Sequence, residues 1–267
     1  MKLRVSPFAK SAVIFALCAS ASGCCGCPQP VETATAPPAL STAQPLAGTA
    51  SAQPGTAVAV KTCPGAMVAA KDGLIDDLED GNNQVQLTAG RAGYWWTAKD
   101  EKGSTIEPAG ELKMSDGGAD GSKLAVHVSG KTASGDPGTA WGAIVGLRLA
   151  EHGLYDASKY VGIAFKAKVG ERSGSKVRLK VADVNTDPGG QVCKDACYND
   201  FGKDFTFTRD WQEYKISFAE MRQQDGWGDP RPPSITPGKL AQIAWHMNTP
   251  GAEFDFWLDD VRFLDCQ

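Results

Sequence analysis

Along most of this chain the apolar positions recur at every second residue, in short runs broken by Gly, Pro, Asp and Asn. That period belongs to strands, whose successive side chains point to opposite faces. Val161, Ile163, Phe165, Ala167 and Val169 share one face of a predicted strand. In the next, Val177, Leu179 and Val181 oppose Lys176, Arg178 and Lys180, and later Ile243, Trp245 and Met247 leave Gln242, His246 and Asn248 opposite. Further runs lie at 74–79, 94–98, 124–129, 141–149, 205–207, 214–218 and 254–263. Only a turn at 218–223 reads as helical. Many short alternating segments with no long helical period predict an all-β fold, an antiparallel two-sheet β-sandwich.

The closing run, Phe254-Asp-Phe-Trp-Leu-Asp-Asp-Val-Arg-Phe263, poses an acidic problem. Strict alternation sends one of Asp259 and Asp260 into each face, and a carboxylate aimed at a core is costly unless it is hydrogen-bonded or holds a metal. Trp211, Trp245 and Trp257 sit among alternating apolar residues and read as core. Trp227, in Asp-Gly-Trp-Gly-Asp-Pro, reads instead as an indole displayed on a polar loop, the alternative being that it folds back over a sheet edge.

The N-terminus is of another kind. Residues 1–23 carry Lys2, Arg4 and Lys10, then an apolar run from Ala12 to Ala21, the pattern of a secretory signal peptide. Ala-Ser-Gly-Cys then resembles the bacterial lipoprotein cleavage box, which makes Cys24 the expected lipidated residue and places the protein in the cell envelope. Cys25 rather than Asp follows it, favouring the outer membrane. Residues 24–61 are rich in Ala, Pro, Thr and Ser, too polar to offset their chain entropy, and read as a disordered tether. A coil of that length spans on the order of 30 Å. The body, 62–267, is one domain's worth of chain.

Losing the three basic residues of the leader moves the formal charge from −4 to −7, which argues against nucleic acid as partner and leaves the lipid anchor as the membrane contact. Export implies an oxidising compartment, so Cys63, Cys193, Cys197 and Cys266 are read as two disulfides. Cys63 precedes the first strand and Cys266 follows the last, so their bridge requires the domain's ends to meet, which a jelly roll allows. Cys193–Cys197 would pin a long loop.

Catalytic signals are weak. The stretch 125–132 approaches a phosphate-binding loop, but its first glycine is Ala125 and it alternates like a strand. Asp183-Val-Asn185-Thr-Asp187 has the start of a calcium loop, with Pro188 and Lys194 where Gly and Glu belong, and reads as a loop capping its own backbone. His127, His152 and His246 stand far apart, and no nucleophile or metalloprotease motif is present. The expectation is a non-enzyme.

Several features together carry a resemblance: Leu-Glu-Asp-Gly near the start, Trp141-Gly142, Cys193…Cys197 with Asp200-Phe-Gly and Trp211-x-x-Tyr214, Gly226-Trp227-Gly228, and the closing Phe-Trp-Leu-Asp-Asp-Val-x-Phe. Over about 74–264 the chain resembles exported bacterial proteins with a galactose-binding-like jelly roll, similar to family 11 carbohydrate-binding modules. The resemblance implies a non-catalytic domain that takes a polysaccharide on one sheet. It also implies a structural calcium near the chain ends, which on this sequence falls to Glu79 or Asp80 with Asp259 or Asp260. Related sandwiches of the complex I intermediate-associated type serve in protein assembly, so the rival expectation is a protein-binding module of an envelope assembly; a glycoside-acting enzyme ranks below both. For a glycan, the face bearing Arg178, Gln242 and His246 supplies planar donors and acceptors, and Trp141, Tyr198 and Trp227 supply a stacking rim.

Overall fold

The computed structural model describes residues 60–267 except 172 and 175; the expected leader, Cys24 and almost all of the tether lie outside the described residues. Two antiparallel sheets face each other. One holds β1 (Met67–Asp76), β3 (Thr105–Glu107), β4 (Ser115–Asp116), β5 (Leu124–Lys131), β7 (Gly162–Val169), β10 (Gln212–Ser217) and β12 (Glu253–Cys266). Its order is β10-β7-β12-β5-β3, with β1 alongside β12 and β4 alongside β5. The other holds β2 (Trp95–Lys99), β6 (Ala143–Arg148), β8 (Lys176–Asp183), β9 (Phe201–Thr206) and β11 (Leu240–Met247), in the order β2-β6-β11-β8-β9. The expected turn at 218–223 is a short 3-10 turn, Phe218–Glu220, whose Glu220 carboxylate accepts from both the backbone N–H and the hydroxyl of Ser217.

The closing strand β12 is the spine of the larger sheet. Its first half pairs with β5 and its second with β1, while β7 runs along the other side. Its acidic problem is solved by a bulge. Asp259 pairs with Lys166 and Arg262 with Ala164, so two residues of β12, Asp260 and Val261, stand against one of β7. Asp260 takes a left-handed φ of 53°. The extra residue shifts the alternation: Phe254, Phe256 and Leu258 point inward, and then Val261 and Phe263 do. Neither carboxylate joins this inward apolar row, contrary to the strict alternation expected from sequence, although Asp259 is itself buried on the other side of the sheet, under the loop that holds Ala119.

Between the sheets Trp95 and Trp245 stack with centroids 5.9 Å apart, and Phe165 meets Trp245 edge-on at 5.3 Å. Trp245 is core as expected. Trp95 hands its indole N–H to the buried Asp76 carboxylate at 2.8 Å. Burial pushes the Asp76 carboxyl up to about 6 against that hydrogen bond and one from Leu78 N. The ends of the domain meet: Cys63 and Cys266 are bridged with Cα atoms 5.3 Å apart, and Cys193–Cys197 forms the second disulfide.

Candidate functional site

Each sheet has an outer face, and the two differ in what their aromatic rings can still touch. On the seven-stranded sheet the register lines up His127, Trp257 and Lys168 across β5, β12 and β7. The His127 and Trp257 rings stack at 3.9 Å, and Lys168 Nζ lies 4.8 Å from the Trp257 centroid and 4.8 Å from that of Trp211. Asp255 Oδ1 accepts from the Trp257 indole at 2.8 Å and lies 2.9 Å from His127 Nε2. Trp257 and Trp211 are therefore half-buried on an outer face and not core, as the sequence pattern had them. One face of the Trp257 ring is covered by the imidazole and the other by the ammonium, so this row is self-contained.

The five-stranded sheet is built differently. Register places Gly146 and Lys180 on either side of Ala244, and Arg148 and Ala182 on either side of Gln242. The centre of this face thus sets three small residues, Gly146, Ala244 and Ala182, among Arg148, Lys180 and Gln242. Trp96, the outward neighbour of the buried Trp95, pairs with Gly146 and lies across it: a Cβ at Gly146 would come within 2.7 Å of the indole. Glycine at that position lets the ring lie down on the sheet. Gln242 is half-buried beside it, and its amide makes no hydrogen bond among the described residues.

Aromatic residues border this floor. Tyr94 and Trp96 stand on the β2 edge, with Tyr94 46% exposed. Trp141 stands at the entry to β6, fixed by two contacts. Its carbonyl lies 2.6 Å from His246 Nε2, and the next backbone N–H, that of Gly142, donates to the buried Asp100 carboxylate at 2.7 Å. On the β9 side Tyr198 and Trp227 are 58% and 44% exposed. The five exposed large hydrophobics among the described residues include Tyr94, Tyr198 and Trp227. Tyr94 leads into β2, the Tyr198 carbonyl accepts from Lys180 of this face, and the Trp227 carbonyl accepts from Asn199 just ahead of β9. With strands about 4.8 Å apart, the two walls are about 19 Å from each other.

Charge on this face is paired. Arg178 donates to Asp204 Oδ1 at 3.1 Å and to the Arg222 carbonyl at 2.7 Å. Lys180 donates to the Tyr198 carbonyl at 2.9 Å and lies 3.3 Å from Asp200. Arg148 lies 3.6 Å from Asp187. Burial, helped by the charges of Lys180 and Arg178, pushes the His246 imidazole down to about 3, so it is neutral. Its Nε2 must then carry the proton given to the Trp141 carbonyl, leaving Nδ1 an acceptor, buried and without a partner in the structure. The Trp96 indole N–H, Arg178 Nε and Asp200 Oδ1 are likewise buried and unpartnered.

The model of the family described as carbohydrate binding domain 30 matches residues 81–265, most of the chain and nearly all of the sandwich. The chain belongs to this family. Similar solved structures include a family 11 carbohydrate-binding module from Clostridium thermocellum in complex with a β-1,3-1,4-mixed-linked tetrasaccharide. It is 16% identical, with a TM-score of 0.48 over 74% of this chain and 98% of that one. Another is the family 30 module of the cellulosomal cellulase Cel9D-Cel44B of Clostridium thermocellum, 16% identical, with a TM-score of 0.44 over 64% and 91%. No curated protein sequence matches the chain.

Within this carbohydrate binding domain 30 fold, Arg178, Gln242 and His246 share one face, as the alternation implied. The backbones of Trp141, Tyr198 and Trp227 are tied to it through His246, Lys180 and Asn199. Arg178 and His246 are over nine-tenths buried, however, and the Arg178 guanidinium is already held by Asp204 and Arg222. Tyr94 and Trp96 belong to the same face and were not among the expected residues. The signal was present in Trp95-Trp96, since adjacent residues of a strand must face opposite ways.

The four acids expected at a cation part company. Glu79 Oε1 accepts from Ser122 Oγ and from the backbone N–H groups of Lys123 and Leu124. Asp259 accepts from Ala119 N at 2.7 Å and leaves Oδ1 buried without a partner; burial raises its carboxyl, and the nearby Glu79 charge adds to the rise. Asp80 caps Asn82, and Asp260 pairs with Arg262 and Lys166. Among the described residues no three acidic, His or Cys side chains converge as a metal site. The Asp183–Asp187 loop caps its own backbone as expected, through Asn185 and Gly189.

Proposed function

We propose that this domain binds a polysaccharide on the outer face of its five-stranded sheet and does not cleave it. The observation that carries this reading is the arrangement of that face. Tyr94, Trp96, Trp141, Tyr198 and Trp227 border a floor in which Gly146, Ala182 and Ala244 leave room between paired cations and the Gln242 amide. Flat apolar rings beside amide and hydroxyl groups suit sugars, which present apolar ring faces and polar edges. The carboxylates of this face, Asp187, Asp200 and Asp204, are each held by a cation, which suits binding better than acid–base work. Capture of the protein on a panel of insoluble polysaccharides, with gel retardation by soluble ones including a mixed-linked β-glucan, tests it. Retention by at least one polysaccharide is expected; retention by none refutes the reading.

We propose further that Cys24 is lipidated and holds the domain at the envelope through the 24–61 tether, the outer membrane being the expected site. Support comes from the order of basic residues, apolar run and Ala-Ser-Gly-Cys. Cys24→Ser should move the protein from the membrane to the soluble fraction of its host.

We propose that a structural calcium sits by the 119–124 segment, which both Glu79 and Asp259 contact and where Asp259 Oδ1 is unpartnered; Asp260 is paired with Arg262 and Lys166 instead. Excess chelator should lower the melting temperature, because a ligand of the folded state stabilises by mass action. An unchanged melting curve excludes it.

A further inference from the structure

The β9-side wall of the proposed site has almost no regular structure. Tyr198 follows a loop running from Val184, and Trp227 stands in a second loop, 221–231. What keeps these two rings in place is therefore a question about side chains.

Asn199 supplies most of the answer. It is 1% exposed and its amide is fully used: Nδ2 donates to the carbonyls of Gln224 at 2.9 Å and Trp227 at 2.6 Å, and Oδ1 accepts from Gln224 N at 2.9 Å. Gln223 Nε2 donates back to the Asn199 carbonyl at 2.8 Å. Gly228, at a φ of +87°, packs against it so closely that a Cβ there would come within 2.6 Å of Asn199 Cβ. One asparagine thus carries the turn that displays Trp227.

Asn199 itself needs a fixed backbone, and the neighbouring disulfide provides one. Cys193 and Cys197 are buried, and the ring they close ends one residue before Tyr198. Within that ring the Ala196 carbonyl accepts from Asp229 N at 3.2 Å, a second tie between the loops. Tyr198 has a φ of 72°, a region costly for any residue with a Cβ and kept only where the surroundings over-determine it. Its surroundings do so: Tyr198 N donates to the Thr186 carbonyl, its own carbonyl accepts from Lys180, and the disulfide and Asn199 flank it. The strained residue is also one whose ring stands in solvent, where packing cannot account for the strain.

We propose that the Cys193–Cys197 disulfide and Asn199 are positioning groups for ligand binding, holding Tyr198 and Trp227 as one pre-set wall of the face. This rests on the polysaccharide reading above. Without them the two loops sample many conformations, and the ligand must order both on binding, which weakens affinity although no contacting residue has changed.

The test compares two paired substitutions in the full chain, Cys193→Ser/Cys197→Ser and Cys63→Ser/Cys266→Ser, with Asn199→Asp as the conservative single change. Two quantities are read: affinity for the polysaccharide that retains the parent, and amide hydrogen exchange across 184–200 and 221–231. Cys193→Ser/Cys197→Ser should weaken affinity about tenfold and speed exchange in both loops, with the core strands still protected. Cys63→Ser/Cys266→Ser should shift affinity less than twofold. Asn199→Asp keeps the acceptor for Gln224 N but sets a carboxylate against two carbonyls, and should weaken binding and loosen 221–231 while 184–200 stays protected. Parent-like affinity or parent-like exchange in 221–231 for Cys193→Ser/Cys197→Ser overturns the proposal. If the parent binds no polysaccharide, the glycan reading falls, and the exchange result still decides whether these groups hold the wall.

Discussion

Trp95 and Trp96 are neighbours with opposite environments. Alternation requires one indole inside and one outside; which is which is decided by Asp76, a buried carboxylate placed to take the Trp95 N–H. Trp96 is left to lie over Gly146. Its replacement by Ala should weaken polysaccharide affinity by about 1–3 kcal/mol, as for other aromatic contact residues, with little change in melting temperature. Arg178→Ala should do the reverse. Its guanidinium is buried between Asp204 and the Arg222 carbonyl, so its loss should cost about 1–2 kcal/mol of stability; equal melting temperatures for parent and variant would contradict this. His246 adds a pH signature. Its folded value near 3 lies below the ordinary 6.5, so the unfolded chain takes up a proton that the folded one refuses. The stability supplied by the neutral imidazole is complete above about pH 6.5 and is lost as pH falls, at up to about 1.4 kcal/mol per pH unit. Asp76 acts in the opposite sense, because its raised value favours the folded state at low pH and that advantage fades between 3.8 and about 6. His246→Gln should therefore lose less melting temperature than the parent between pH 7 and pH 5; parallel losses would contradict the assignment.

At the level of strands and loops, the sequence pattern was readable where one face is buried by a sheet and unreadable where another segment decides. The alternations of 161–169, 176–182 and 243–247 became β7, β8 and β11 with the expected faces inward. Trp257 and Trp211 point outward: Trp257 lies in the opposite phase to Phe254, Phe256 and Leu258, so the alternation itself turns it away from the core, and Trp211 stands just before β10, outside its alternation. The bulge at Asp260 was hidden because it depends on β7 opposing two residues with one, a property of the pair. β3 and β4 are too short to carry a period at all. The disulfides were legible because cysteine chemistry and chain ends constrain them from outside the pattern. They should differ in effect. The Cys63–Cys266 bridge joins residues 203 apart in sequence and is worth about 5 kcal/mol in the chain-entropy model, against about 2 for the Cys193–Cys197 bridge, whose residues are four apart. Thermal melts should show the larger loss for Cys63→Ser/Cys266→Ser; a larger loss for the shorter loop would show that the local bridge holds the core.

For the whole molecule, the central claim is a choice between two outer faces. Both carry tryptophan, so composition does not distinguish them. On the seven-stranded face the Trp257 ring is already occupied, by His127 on one side and Lys168 on the other; on the five-stranded face the rings stand around a floor in which Gly146, Ala182 and Ala244 leave room between paired cations and the Gln242 amide. The most direct measurement follows the indole N–H resonances of the seven tryptophans in a nitrogen-15-labelled sample, each assigned by single substitution, as a soluble fragment of the retained polysaccharide is added. The account predicts shifts for Trp96, Trp141 and Trp227, with Trp95, Trp211, Trp245 and Trp257 unmoved. Shifts confined to Trp211 and Trp257 would place the ligand on the opposite sheet and contradict it.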